Sequence, residues 1–182
     1  EEHKIVKSWF LLTDKPMIYL CNVNEDDLQK SQPNTLYDRI QLYAQDKEIP
    51  CVKLSGSIEM EIAKLTDLQD KLAFLDIYNL QEPGLNKLIK SAYKQLGLIT
   101  FFTAGEQEIR AWTITQNTSA PKAAGTIHSD FERGFIKADI YNLKDLIQFE
   151  TESKLKENGK IKQEGKEYII KDGDIIFFKF NV

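Results

Sequence analysis

Two short polar stretches, each directly after an apolar run, contain the residues best suited to bind a small ligand. Asn22-Val23-Asn24-Glu25 follows an apolar run at residues 17–21, and Ser55-Gly56-Ser57 follows another at residues 50–54. Amide, carboxylate and hydroxyl groups supply hydrogen-bond donors and acceptors, and glycine lets a ligand approach the backbone. In an open α/β sheet, ligands bind beyond the carboxyl ends of the strands, where both stretches are expected to lie.

Both stretches also fit roles that involve no ligand. A turn rich in Asn and Asp is common after a strand. Ser57 is a candidate N-cap for a helix that begins at Ile58, with Glu59 and Glu61 in its first turn. A cap and a ligand contact are compatible, so both interpretations of Ser57 stay open.

The remaining reactive side chains favour structural roles. His128, Ser129 and Asp130 are neighbours in sequence, whereas a catalytic triad needs side chains that converge from separate loops. Cys21 and Cys51 lie in apolar runs without CxxC spacing, which is typical of reduced, buried core cysteines. We therefore predict no catalytic residue and no metal site in this chain.

Two groups of residues are candidates for contact with RNA or a partner protein. Trp112 with Phe177-Phe178-Phe180 could stack on bases, although alternating Phe in a terminal strand is more typical of a core. The second group is a run of lysines that ordinarily forms a solvated face, with RNA contact as the alternative. Its members are Lys154, Lys156, Lys160, Lys162 and Lys166.

Composition argues against a DNA-binding, membrane-spanning or secreted protein. The chain has 182 residues and a net charge of -4, so its total charge does not indicate a generic polyanion binder such as a DNA-binding protein. No apolar run approaches the roughly 20 residues of a membrane span, and no signal peptide is recognisable. We expect a cytoplasmic protein with no membrane contact. The start, Glu1-Glu2-His3-Lys4, is typical of an excised piece.

Apolar periodicity predicts alternating strands and helices up to residue 96. The helix at residues 34–46 is expected to turn Leu36, Ile40, Tyr43 and Ala44 inward. The predicted order is a helix end at 3–12, strands at 17–21 and 50–54, and helices at 34–46, 58–64, 67–75 and 85–96. This order is typical of part of a doubly wound sheet.

Strands dominate after Gly97, where we place a domain boundary. Strands at 109–114 and 134–140 enclose a short helix near Pro121, and two short helices are predicted at 142–149 and 152–158. Asp172-Gly173 predicts a hairpin that joins residues 168–170 to 174–180. We expect residues 97–182 to fold autonomously around Phe101, Ile109, Trp112, Ile114, Phe135, Ile136, Ile140, Ile169, Ile175 and Phe177.

Long motifs resemble the Obg-like ATPases, the YchF family. They read FFTAG…E.RAWTI, AP.AAG.IH.DFE.GFI.A and EGK.YI.KDGDIIFF.FNV, and the resemblance continues upstream through residues 16–25 and 81–86. It therefore covers nearly the whole chain. It implies an α/β remnant of a P-loop GTPase-type domain, followed by an α+β β-grasp (ubiquitin-like) TGS domain. Residues 1–96 would be the C-terminal part of the OBG-type nucleotide-binding domain, and residues 97–182 the TGS domain.

The resemblance also implies roles for individual residues. P-loop GTPases read guanine with a strand-end Asn-Lys-x-Asp motif, which here is Asn-x-x-Glu with Val in place of Lys. By position, Asn22 would bond the N7 edge of the purine and the backbone at Val23 would meet the adenine rim. Glu25 would replace the guanine-reading Asp, and Ser55, Gly56 and Ser57 would form a second base-contacting loop. These changes accompany a preference for ATP over GTP.

The resembled proteins bind and hydrolyse ATP with Mg²⁺, also bind GTP, and associate with the ribosome or rRNA. This chain has no GxxxxGK[ST] motif to hold phosphates, so we expect it to need no cofactor and to show no ATPase activity alone. The alternative is a non-catalytic β-grasp module that binds RNA or protein, with the upstream residues as scaffold. A natural gene that extends upstream and encodes a P-loop would favour the ATPase interpretation.

Overall fold

The computed structural model describes residues 2–29, 36–105 and 108–181. The chain divides into two compact units, residues 1–96 and residues 97–182. The second unit begins at Gly97, whose positive φ of 62° is a backbone conformation that glycine adopts without strain.

The first unit contains a two-stranded parallel sheet with helices between and after its strands. The register pairs Tyr19 with Cys51 and Asn22 with Leu54, so both strands end at the same edge. The elements are α1 (Glu2–Ser8), a 3-10 turn (Leu12–Asp14), β1 (Tyr19–Asn22), α2 (Glu25–Gln29), α3 (Leu36–Asp46), β2 (Cys51–Leu54), α4 (Gly56–Lys64), α5 (Leu68–Ile77) and α6 (Gly84–Gln95). The predicted α/β alternation is confirmed.

Two details of the first unit differ from the predictions. The polar stretch Asn22-Val23-Asn24-Glu25 is not a turn throughout, because α2 begins at Glu25. In α3 only Ala44 is buried, whereas Leu36 is 75% exposed and Ile40 and Tyr43 are also exposed. Two strands make a sheet too narrow to cover the whole apolar face of this helix. Residues 34 and 35 of that predicted helix lie outside the described residues.

The second unit is a five-stranded mixed sheet. Its strand order is β4-β3-β7-β5-β6, with β3 and β7 parallel at the centre and the other neighbours antiparallel. Ala120, Ala123 and Ala124 pack one helix against the sheet. The elements are β3 (Leu98–Ala104), β4 (Ile109–Thr115), α7 (Ala120–Ile127), α8 (Ser129–Arg133), β5 (Phe135–Asn142), α9 (Leu143–Phe149), α10 (Glu152–Glu157), β6 (Lys162–Glu164) and β7 (Asp174–Phe180).

The predicted hairpin before β7 is wrong. Ile169 forms an isolated bridge with Ser119, and β7 pairs with β5 and β3 instead. The Asp172-Gly173 turn is used differently: Thr100 donates its N–H to Asp172 Oδ1 at 2.8 Å, and Gly173 donates its N–H to the Thr100 carbonyl at 2.8 Å. The turn therefore docks on β3, which places β7 in the centre of the sheet.

The core contains about half of the predicted residues. Phe101, Ile114, Phe135, Ile140 and Ile175 are buried, and Trp112 packs against the core. The prediction is wrong for four others that are exposed, namely Ile109, Ile136, Ile169 and Phe177. Adjacent residues take their places, since Ile170, Ile176 and Phe178 are buried. A one-residue shift moves a strand's side chains to the opposite face, and a register shift between Phe135 and Lys137 does this at Ile136.

We predict that residues 97–182 fold cooperatively by themselves and that two phenylalanines differ sharply in their contribution. Phe101→Ala should lower the free energy of unfolding by about 3–5 kcal/mol, because Phe101 is fully buried. Phe177→Ala should change it by less than about 1 kcal/mol, because Phe177 is 57% exposed. Urea unfolding monitored by circular dichroism measures both, and equal effects would contradict the core described above.

Candidate functional site

All six residues predicted to contact a base line one open depression in the first unit. Asn22, Val23 and Glu25 lie on one side and Ser55, Gly56 and Ser57 on the other, around a volume of about 550 Å³. The parallel register brings these segments together, because Asn22 and Leu54 are paired at the ends of β1 and β2. Val23 donates its N–H to the Leu54 carbonyl at 2.9 Å, which extends the pairing by one step.

The Asn22 side chain is oriented by the opposite segment. Gly56 donates its N–H to Asn22 Oδ1 at 2.9 Å, so the amide oxygen has a partner and the Nδ2 group is the donor available to a ligand. A Cβ at position 56 would lie 3.5 Å from Oδ1 and 4.0 Å from Nδ2 of Asn22. Glycine therefore leaves the Asn22 amide uncovered on this side.

The two serines form a hydroxyl pair. Ser55 is only 1% exposed, and its Oγ lies 3.0 Å from the Oγ of exposed Ser57, with either atom able to donate. The predicted N-cap role of Ser57 is wrong, because α4 begins at Gly56 and places Ser57 in its first turn. Ser55 occupies the N-cap position, but its side chain makes no capping hydrogen bond.

Glu25 is the first residue of α2 and is exposed. A carboxylate is favourable in the first turn of a helix, where backbone N–H groups point outward. The helix is tied to β2 by Lys53, whose Nζ donates to the backbone carbonyl of Asp27 and lies 5.0 Å from the centre of the Tyr37 ring. Sequence reasoning missed Lys53, although a single lysine within the apolar strand run Cys51–Leu54 was a visible signal.

Glu59 supports the second segment from behind. Gly84 and Leu85 donate their N–H groups to Glu59 Oε1 and Oε2, at 2.7 Å and 3.1 Å, so one carboxylate holds the start of α6. At position 84 a Cβ would lie 2.5 Å from the Cβ of Leu54, which requires glycine. Helix α6 therefore packs directly on the end of β2. Sequence reasoning noted Glu59 only as an acidic residue of a first turn.

The cysteines lie beside the site without forming a metal centre. The Sγ atoms of Cys21 and Cys51 are 3.7 Å apart. Both side chains are half-buried, so the prediction of full burial is wrong. Burial, together with the hydrogen bond to Cys21, raises the pKa of Cys51 to about 11, and this thiol stays protonated at neutral pH. Within the described ranges, no group of three or more His, Cys, Asp or Glu side chains is placed to hold a metal ion.

The candidates in the second unit do not converge on one site. His128 Nδ1 accepts the N–H of Asp130 at 3.2 Å, at the start of α8, which confirms its structural role. Phe178 is buried and Phe177 exposed, while Phe180 stacks on Phe131 with ring centres 3.8 Å apart. These aromatic side chains therefore do not form one continuous stacking platform.

The five candidate lysines, at positions 154, 156, 160, 162 and 166, are all exposed, and two of them have acidic partners. Lys154 Nζ lies 2.9 Å from Glu150, and Lys160 Nζ lies 3.5 Å from Asp145. Residues 150–167 contain five lysines and five glutamates, so the segment has no net charge. No helix in the described part of the chain has the length and apolar character that a membrane crossing requires.

Comparison with known proteins identifies relatives of the whole chain. The family model YchF-GTPase_C, described as a protein of unknown function (DUF933), matches residues 98–181. All 182 residues align with curated proteins named ribosome-binding ATPase YchF. Identity is 46% with the protein from Bacillus subtilis and 46% with that from Haemophilus influenzae, and the alignments cover 50% and 49% of those proteins. The chain thus spans about half the length of these curated relatives.

Solved structures show the same likeness. The YchF GTPase of Schizosaccharomyces pombe superimposes with a TM-score of 0.85 at 35% identity, covering 97% of this chain and 46% of that one. A GTP-binding protein of Pyrococcus horikoshii superimposes with a TM-score of 0.63 at 16% identity, covering 92% of this chain and 46% of that one. The second match is a likeness of fold alone.

We predict that Glu59→Ala weakens the support behind Ser55-Gly56-Ser57. Two backbone N–H groups lose a charged acceptor, so the free energy of opening at Gly84 and Leu85 should fall by about 1–3 kcal/mol. Amide hydrogen exchange read by NMR measures this. Glu61→Ala is the matched control and should change little, because Glu61 pairs with exposed Lys64 at 2.6 Å. Equal effects of the two substitutions would contradict this role for Glu59.

Proposed function

Because this chain belongs to the YchF family, we propose that residues 1–96 are the base-reading part of an OBG-type nucleotide-binding domain and residues 97–182 its TGS domain. The whole protein is proposed to bind and hydrolyse ATP with Mg²⁺ in the cytoplasm. The chain contains no GxxxxGK[ST] motif, so its own residues contact the base rather than the phosphates. The observation that carries the proposal is the convergence of Asn22, Val23, Glu25 and Ser55-Gly56-Ser57 on one depression.

The donor groups of the depression suit a purine. The Nδ2 group of Asn22 is a donor on an amide whose oxygen already accepts from Gly56, and N7 is an acceptor in both purines. The N–H of Val23 is bonded to Leu54, so the backbone of Val23 can offer the adenine rim its carbonyl but not its N–H.

Glu25 fits adenine better than a buried aspartate would. Guanine presents two N–H donors to a carboxylate at its Watson–Crick edge, whereas adenine presents neither, and an unmatched buried acceptor costs about 1–3 kcal/mol. Glu25 is exposed at the start of α2, so solvent can reach its carboxylate. Adenine therefore does not bury an unmatched carboxylate at this position.

The topology of the second unit supports the TGS assignment. Its two central strands, β3 and β7, are parallel and come from the two ends of the unit. Helix α7 packs across one face through small alanine side chains. A mixed sheet that holds one helix in this way is the arrangement expected of a β-grasp domain.

Ribosome association is proposed for the whole protein because the curated relatives are named ribosome-binding ATPases. Lys160 and Lys162 lie just before and at the start of the edge strand β6 and are exposed. Since the surrounding segment has no net charge, rRNA contact would depend on individual lysines. The alternative is a non-catalytic module that binds a protein through the same unit.

We predict that the full-length protein binds adenine nucleotides more tightly than guanine nucleotides. Asn22→Ala should weaken ATP binding by about 1–3 kcal/mol. Gly56→Ala should weaken it as well, because the added methyl group covers the Asn22 amide at ordinary contact distances. Asn86→Ala, outside the depression, is the control. Calorimetric titration with ATP and GTP is the test, and equal or reversed affinities would refute the proposed base preference.

We also predict that charge reversal at Lys160 and Lys162 weakens ribosome binding by the full-length protein and that added salt weakens it further. Reversal of two exposed lysines of the first unit, Lys87 and Lys94, is the control. Co-sedimentation with ribosomes across a salt series measures the effect. Unchanged binding with a flat salt response would favour a protein partner.

A further inference from the structure

The second base-contacting segment contains a hydrogen bond between two hydroxyl groups, either of which can be the donor. Ser55 Oγ and Ser57 Oγ are 3.0 Å apart, and each hydroxyl can donate to the other. Ser55 is buried behind Ser57, whereas Ser57 is exposed on the depression. A hydroxyl has one donor and two acceptor positions and rotates freely. The group that Ser57 offers to a ligand therefore depends on which serine donates.

Asn22 shares its side-chain oxygen with the backbone of the opposite segment. An asparagine recognises adenine fully when its Nδ2 donates to N7 and its Oδ1 accepts from the 6-amino group. In this chain Oδ1 already accepts the Gly56 N–H at 2.9 Å. An amide oxygen has two lone pairs, so one of them remains for the substituent at C6. If Nδ2 donates to N7, that substituent also lies next to the segment that holds Oδ1, Ser55-Gly56-Ser57, whose hydroxyl groups can supply a further partner.

We infer that Ser57, backed by Ser55, reads the substituent at C6 of the purine and accepts either an amino or an oxo group. When Ser57 donates to Ser55, its lone pairs face the depression and accept from the 6-amino group of adenine. When Ser55 donates to Ser57, the Ser57 hydrogen is available to the 6-oxo group of guanine or hypoxanthine. This inference rests on the proposed function, since it assigns a contact within the proposed base site.

A consequence is that discrimination between purines falls to the other edge of the base. The Hoogsteen edge, read by Asn22 and Ser57, tolerates both bases because N7 is common to them and the hydroxyl pair reverses. The Watson–Crick edge, which faces Glu25 in the proposed placement, then sets the preference. A site of this kind binds guanine more weakly than adenine without excluding it.

Three nucleosides separate these contacts: adenosine has a 6-amino group, inosine a 6-oxo group, and purine riboside no substituent at C6. They lack phosphates, so the 182-residue chain itself can be titrated, with the amide signals of Gly56 and Asn22 followed by NMR. Ser57→Ala should weaken the binding of adenosine and of inosine by about two- to tenfold each, which is the range for one neutral hydrogen bond. Binding of purine riboside should not change.

Ser57→Asp fixes the direction, because an ionised carboxylate only accepts hydrogen bonds. The position lies in the first turn of α4, where a carboxylate is tolerated. This variant should keep adenosine binding and lose inosine binding by at least about tenfold. Purine riboside is the control for both variants, since it has no group at C6 for residue 57 to contact.

Each outcome has a defined consequence. The inference is supported if Ser57→Ala weakens the binding of adenosine and inosine but not of purine riboside. It also requires that Ser57→Asp weakens the binding of inosine alone. The inference is overturned if Ser57→Ala weakens the binding of all three nucleosides equally. It is also overturned if this substitution weakens the binding of only one of the two nucleosides adenosine and inosine. If nucleosides shift Asn22 and Gly56 but neither variant alters their affinities, the base site stands and this inference fails. If no nucleoside shifts these signals, the proposed base site fails as well.

Discussion

The hydrogen bond from the Gly56 N–H to Asn22 Oδ1 joins the two halves of the candidate site. It is made possible by the parallel pairing of β1 with β2, which ends with Asn22 opposite Leu54 and with the Val23 N–H on the Leu54 carbonyl. The two polar segments are more than thirty residues apart in sequence, and this strand pairing is what brings them into contact. With it, the amide of Asn22 is oriented before any ligand arrives, which reduces the entropy lost on binding.

A second set of contacts holds these segments from behind. Glu59 accepts two N–H groups at the start of α6, and Gly84 lets that helix approach Leu54 closely. On the other side, Lys53 reaches across from β2 to the Asp27 carbonyl and fixes α2. Both supporting side chains belong to elements that flank Ser55, so the short strand β2 connects the residues proposed to contact the base to their supports.

The sequence predicted most of the elements because their apolar spacing differs between strands and helices. It predicted that the two polar segments converge, because parallel strands place their carboxyl ends at one edge. It failed where the outcome depends on contacts between distant residues. Nothing near Asp172-Gly173 indicates that the turn docks on Thr100 rather than closing a hairpin. In β7, all of Ile175, Ile176, Phe177 and Phe178 are apolar, so their alternation does not reveal which of them face α7.

The most direct test of the account is the position of the base in a crystal structure of the full-length protein with an adenine nucleotide. We predict that the purine lies over the depression between Asn22 and Ser57, with N7 within hydrogen-bond distance of Asn22 Nδ2 and with the Gly56–Asn22 hydrogen bond retained. A base bound elsewhere, or an Asn22 side chain that turns away from Gly56 to contact it, would contradict the central claim that this bond orients the base-reading amide.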